Sequence, residues 1–144
     1  MIVVADTSAL FAAFDAAQPE HSASASVMED EVLLVSPLVL TELDHLIRRD
    51  FGFPAALRVA QALTDRITDG RYRLASLTND DLTSAAAVRE RYAGLELDLA
   101  DAVGVVLADR YRTNLIFTLD HRDYRAIAPL TATFDAFRLL PADR

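Results

Sequence analysis

The stretch IVVADTSALFAAF, residues 2–14, decides the architecture. Ile2 to Ala5 is a continuous apolar run of strand length, the pattern of a strand buried on both faces. It closes on Asp6, and Ser8 to Phe14 reads as a helix with Thr7 or Ser8 as its cap. A buried strand, an acid at its carboxyl end and a helix leaving from that point open a parallel α/β unit.

The same grammar repeats outward from this start. His21–Glu29 reads as a second helix, Val32–Val35 as a second strand, and Ser36-Pro37 opens the next helix with proline in its first turn. Pro54 to Asp69 is a helix ended by Gly70, and Tyr72–Ala75 is a short strand. Asn79 or Asp80 caps a helix running to Tyr92, and Leu97/Asp98 begins one that ends near Tyr111. Leu115–Thr118 is another buried strand, and Phe137–Leu140 an edge strand before Pro141. Strands alternating with helices predict a parallel sheet covered on both sides, with any ligand beyond the carboxyl ends of the strands. Asp6 and Asp120 both lie at such ends.

Composition narrows the class. A chain of 144 residues with 52% hydrophobic content predicts one globular domain, residues 1–144, with a substantial core. There is no cysteine, which excludes thiolate chemistry and suits a reducing, cytoplasmic setting. The first apolar run stops at Asp6 with no basic residue before it, so no secretory leader is expected, and no apolar run approaches membrane-spanning length. A net charge of −8 argues against a protein that holds nucleic acid mainly by charge. It leaves room for a nuclease, because acids gathered around a metal supply part of that charge. All 14 basic residues are arginine.

Four acids interrupt apolar segments: Asp6, Glu42, Asp101 and Asp120. Glu42 stands four residues after Leu38 and four before Leu46, and so is expected on an apolar helix face. Asp101 breaks the apolar run from Leu99 to Ala108. A buried, uncompensated carboxylate is expensive, and without lysine the economical explanation is a shared Mg²⁺ or Mn²⁺ site. Three of the acids also have a plainer reading: Asp6 as a helix cap, Glu42 as a partner for arginine, Asp120 as a turn residue. For Asp101 no plain reading suggests itself.

Asp6-Thr7-Ser8-Ala9-Leu10, Thr41-Glu42-Leu43, Leu97 through Ala102, and Thr118-Leu119-Asp120 through Tyr124 together resemble the ordered acidic motifs of PIN-domain ribonucleases, and the size is similar to VapC-type toxins. The resemblance implies a PIN-like three-layer sandwich with a central, mainly parallel sheet flanked by helices. It implies Asp6, Glu42, Asp101 and Asp120 as catalytic metal ligands, with Asp98, one helical turn before Asp101, reaching the same pocket. It further implies RNA (tRNA, rRNA or mRNA) as substrate, hydrolysed by a metal-activated water, a cognate antitoxin protein, and a homodimer. Thr7, Ser8 and Thr118 are expected to orient carboxylates or waters on the substrate side, and Arg122 and Arg125 to meet substrate phosphate. Asp123 is read as a cap or outer partner rather than a ligand, and Tyr124 stands where the family often has phenylalanine.

Other classes fit less well. A phospho-receiver or phosphatase needs a lysine beside its phosphate, and there is none. A catalytically silent PIN-like module that binds RNA or protein is the remaining alternative. His121 beside Asp120 reads as a turn residue, and Glu42-x-x-His45 lacks the second copy a di-iron site requires. Phe11, Phe14, Phe51 and Phe53 are expected in the core, or else at a partner contact.

Overall fold

The computed structural model describes residues 1–144 throughout. In chain order the elements are β1 (Val3–Ala5), α1 (Thr7–Phe14), α2 (His21–Asp30), β2 (Leu33–Val35), α3 (Pro37–Phe51), α4 (Phe53–Thr68) and β3 (Arg73–Leu74). These are followed by α5 (Asn79–Arg91), a 3₁₀ turn (Ala93–Leu95), α6 (Leu99–Arg110), β4 (Leu115–Phe117), α7 (His121–Ala126) and β5 (Arg138–Leu140). The sheet runs β3-β2-β1-β4-β5, and every pairing is parallel. The expected mainly parallel sheet is therefore wholly parallel, its last edge strand included.

β1 lies at the centre, with Val3 opposite Leu33 and Val4 opposite Ile116. Alternate strand residues point to opposite faces, so β1, β2, β4 and β5 each feed two cores. Val3, Ala5, Leu33, Val35, Leu115 and Phe117 pack with Leu10, Val39, Leu43, Ile47 and Leu63 of α1, α3 and α4. Val4, Leu34, Ile116 and Leu139 pack with Val88 of α5, Val103 to Ala108 of α6, and Tyr124 of α7. The result is a three-layer sandwich. Because α6 lies between the sheet and α5, Ala102 through Ala108 are all buried, which explains why that helix carries so little polarity.

Local chemistry sets the element ends. Ser36 caps α3 by accepting from Leu38 N at 3.2 Å, with Pro37 behind it. Gly52, at φ 90°, turns the chain between α3 and α4 in a conformation that side chains resist. Three starts differ from the sequence expectation. The α1 N-cap is Asp6, not Thr7 or Ser8, and its side chain does no capping because it is held elsewhere. The α5 cap is Thr78, in a reciprocal capping box with Asp81. α7 is a helix of six residues where a turn was expected, with Asp120 as its N-cap. The expected strand Tyr72–Ala75 shortens to two residues, although Ala75 N still donates to Val35 O at 2.9 Å.

Candidate active site

The strand order delivers the acids to one place. β1 and β4 are neighbours, so the residues after them, Asp6 and Thr118 to Asp120, meet at the carboxyl edge of the sheet. Asp6 N donates to Phe117 O at 2.8 Å, which locks the two strand ends together. Thr118 Oγ1 donates to Asp6 Oδ2 at 2.7 Å, and Ser8 Oγ donates to the same oxygen at 2.9 Å. Each hydroxyl is itself held: Ser8 Oγ accepts from Leu119 N and Thr118 Oγ1 from Asp120 N, both at 2.9 Å. Asp6 is thus clamped through one oxygen, Oδ2, which takes both hydroxyl hydrogen bonds.

The other acids arrive on helix starts. Asp98 caps α6, accepting from Asp101 N at 2.8 Å, and Asp101 sits in the first turn. Asp120 caps α7, accepting from Asp123 N at 3.4 Å. Carboxylate oxygens of Asp101, Asp120 and Asp123 all lie within 4.8 Å of one another. Asp123, read from the sequence as a cap or outer partner, therefore stands with Asp101 and Asp120 in one group. Its signal was present: on a helix capped by Asp120, the residue three positions on faces the cap. The turn expected there hid it.

Glu42 is exposed rather than set into an apolar face; the buried stripe of α3 is Val39, Leu43 and Ile47. It nevertheless belongs to the same field. Its carboxyl is held above the usual range first by partial burial, then by the charges of Asp98 and Asp6, with the Thr7 hydroxyl acting the other way. Thr7 Oγ1 is buried, without a hydrogen-bond partner of good geometry, and faces Glu42. Thr7 and Thr118 are 3% and 0% exposed, so they reach carboxylates and not a substrate phosphate.

Electrostatics ties the group together. Asp101 is raised to about 9 by burial, by the charges of Asp6 and Asp98, by contact with the Asp6 carboxyl, and by Asp120. Asp123 is raised by burial, then by the charge of Asp120 and a hydrogen bond with it, against the opposing charge of Arg122. None of the chain's ion pairs involves Asp6, Glu42, Asp98, Asp101, Asp120 or Asp123. Crowded carboxylates without an internal cation are hard oxygen donors, and they fit a divalent ion of the Mg²⁺ or Mn²⁺ class. Arg122 is exposed beside Asp123, whereas Arg125 is committed to Asp143 by two contacts of 2.7 and 2.6 Å. Arg125 is therefore not a free phosphate contact. No imidazole enters the cluster: His121 acts on Asp143, His21 Nδ1 bonds Ala12 O at 2.9 Å, and His45 is exposed on α3.

A family model described as PIN domain matches residues 3–128. The chain is 40% identical over 130 residues to Ribonuclease VapC26 of Mycobacterium tuberculosis (strain ATCC 25618 / H37Rv), covering 89% of this chain and 93% of that protein. Among solved structures, Mycobacterium tuberculosis VapC20, a Sarcin-Ricin loop cleaving toxin, is similar with a TM-score of 0.74. Its identity is 22%, over 85% of this chain and 92% of that one. A chain of VapBC2 from Rickettsia felis, bound to a DNA fragment from its promoter, gives a TM-score of 0.64 at 13% identity, covering 90% and 96% of the two chains. A toxin–antitoxin complex from Klebsiella pneumoniae gives a TM-score of 0.64 at 16% identity, covering 92% and 98%. These three structural likenesses are likenesses of fold.

Proposed function

The chain belongs to the PIN-domain family, and we propose that it is the endoribonuclease toxin of a toxin–antitoxin pair, hydrolysing RNA phosphodiesters with a divalent metal. One observation carries the reading: Asp101, Asp120 and Asp123 converge within 4.8 Å at the carboxyl edge of a parallel sheet, with no cation of the chain among them. Asp6, Glu42, Asp98, Asp101 and Asp120 are the proposed metal-holding residues, and Asp123 joins them by its position. Mg²⁺ or Mn²⁺ is the ion we favour, because the donors are carboxylates and neither thiolate nor imidazole takes part.

The chain's own contribution is orientation and charge. When bound, a divalent ion lowers the pKa of an attacking water and offsets charge on the scissile phosphate. Ser8 and Thr118 fix Asp6 through Oδ2, leaving its other oxygen for a ligand. Asp101, raised by burial and its acidic neighbours, would give up its proton were the cluster to hold a cation. Arg122, exposed at the start of α7, offers its guanidinium to the substrate phosphate. With no histidine pair at the site to activate the RNA 2′-hydroxyl, the expected products carry 5′-phosphate and 3′-hydroxyl ends.

The remaining proposals follow from family membership. Residues 1–144 act as one catalytic domain in the cytoplasm, and a cognate antitoxin and a second copy of the chain are the protein partners. An apolar groove lined by Phe14, Ile47, Phe51, Ala55 and Val59, with Arg58 at its edge, offers a surface for such contacts away from the acids. Of the two places the sequence allowed Phe51 and Phe53, the core or a partner contact, the core is ruled out by their exposure of 50% and 54%. No helix is long and apolar enough to cross a membrane.

Purified protein incubated with total RNA in Mg²⁺ or Mn²⁺ tests the function. Cleavage should stop with chelator and with the partner encoded beside it, and mass spectrometry should find 5′-phosphate ends. Cyclic 2′,3′-phosphate ends, or undiminished cleavage in chelator, would overturn the metal mechanism. Saturable Mg²⁺ or Mn²⁺ binding with no cleavage of any RNA would favour the silent binding module instead.

A further inference from the structure

α7 carries part of the acidic centre and has little to hold it. It is six residues long, under two turns, and a helix of that length does not stand without outside contacts. Tyr124 supplies one: it is 2% exposed, with its ring edge-on to Phe137 at 6.0 Å between centroids. A single anchor fixes the depth of a short helix but leaves it free to tilt and roll. Asp123 and Arg125 stand on either side of Tyr124, about 100° of helix each way, so a roll that displaces one displaces the other.

Arg125 is held by a residue distant in the sequence. Its Nη1 and Nη2 donate to Oδ2 and Oδ1 of Asp143 at 2.7 and 2.6 Å, a two-pronged grip of planar guanidinium on carboxylate. Asp143 is itself fixed. Its N donates to Leu139 O at 2.7 Å, its Oδ2 also accepts from Leu139 N at 2.8 Å, and its O accepts from Arg138 Nε at 3.0 Å. The turn that presents it leaves β5 at Leu140, whose O accepts from Thr118 N at 3.0 Å beside the site. Both side chains are partly exposed, where an ion pair adds little to folding. What the grip does supply is direction, because two parallel bonds admit one orientation.

We propose that Asp143 and Arg125 are positioning residues of the acidic centre: together they set the roll of α7, and with it the reach of Asp120 and Asp123 toward Asp101. The inference rests on the reading of the cluster as a cation site. Asp143 is lowered to about 2, first by the Arg125 hydrogen bond and then by that of Leu139 N, so its carboxylate is charged throughout the neutral range and the grip stays closed. Arg125 thus acts by holding the acids and not by touching a phosphate.

Isothermal calorimetry of Mn²⁺ binding to the whole chain tests this, on Asp143→Asn, Arg125→Gln, Arg125→Lys, the double variant Asp143→Asn/Arg125→Gln, and Arg144→Gln. Each of the first three should weaken Mn²⁺ by about 3–10-fold, less than the loss that follows removal of a group bonded directly to a ligand. The double variant should lose no more than either single change, since one broken grip already frees α7. The signs separate position from charge. Charge alone predicts that Arg125→Gln tightens a cation, that Asp143→Asn loosens it, and that Arg125→Lys leaves it unchanged. Arg144 meets Asp30 and Ser26 of α2 instead, so Arg144→Gln should keep the wild-type affinity. Wild-type Mn²⁺ affinity in Asp143→Asn or Arg125→Lys overturns the proposal, whatever their unfolding free energy, and so does tighter binding by Arg125→Gln. An equal loss in Arg144→Gln overturns it too, because any loosening of the turn would then suffice. If wild type itself binds no Mn²⁺ saturably, the reading of the cluster as a cation site fails, and this proposal with it.

Discussion

On the proposed reading, Asp101 carries both the chemistry and a folding penalty. It is half-buried in the first turn of α6, and burial together with Asp6, Asp98 and Asp120 keeps its carboxyl protonated at neutral pH in metal-free protein. Asparagine has nearly the same shape and no charge. Asp101→Asn should therefore abolish RNA cleavage while leaving the chelated protein as stable as wild type or more so, by up to about 1–2 kcal/mol. It should also lose most of the gain that Mg²⁺ or Mn²⁺ confers, which for wild type is about 2.7 kcal/mol at 100 times Kd. Denaturant unfolding in chelator and in metal measures both effects. An active, destabilised Asp101→Asn protein would mean that the acid is structural. This residue was legible in the sequence because a carboxylate amid Leu99, Ala102, Val103 and Val105 has no plain excuse. Asp123 was not, since its part depends on a short helix that leaves no periodic pattern.

At the scale of the element, short links between neighbours decide whether the acids point inward. Thr118 follows β4 and serves two of them: its hydroxyl donates to Asp6 Oδ2 and accepts from Asp120 N. Thr118→Val keeps the volume and removes both bonds, leaving Asp6 Oδ2 with Ser8 as its one donor and the Asp120 N–H unpaired. The expected cost is about 1–3 kcal/mol in unfolding free energy, with a fall in metal-dependent cleavage. The α5 cap supplies a control away from the site. Thr78→Ala breaks the capping box and should cost about 1 kcal/mol, while Asp81 keeps its Arg110 partner at 2.9 Å and RNA cleavage is unchanged. If both variants lower cleavage to the same degree, the Thr118 links have no special bearing on the site. Strands and long helices were legible because their apolar runs and periods are strong. Caps were less so, because Thr78, Asn79 and Asp80 all suit the position and only the reciprocal bond with Asp81 chooses among them.

For the whole molecule, two groups pull stability in opposite directions along the pH axis. Asp143, tied to Arg125 and to Leu139 N, is lowered to about 2. Its folded form holds fewer protons than its unfolded form, so its contribution is present above about 3.8 and is lost as pH falls through about 2. Asp101 works the other way. Its value is raised from 3.8 to about 9, so between those limits the folded chain holds a proton that the unfolded chain has released. Stability in chelator must then fall as pH rises across that window. On the proposed reading, a divalent cation would bind the ionised cluster and compete with that proton, so its stabilisation should grow with pH and offset the decline. Unfolding free energy measured from pH 5 to pH 8.5 should therefore slope downward in chelator and flatten or rise in saturating Mg²⁺. Asp101→Asn should show a shallower slope in chelator and little response to the ion. The test reaches the architecture as well as the residue, because Asp6 and Asp120 belong to the cluster only if β1 and β4 lie side by side and parallel. Equal slopes for wild type and Asp101→Asn in chelator would show that the acids do not share one field, and the cation site would have to be sought elsewhere on the sheet edge.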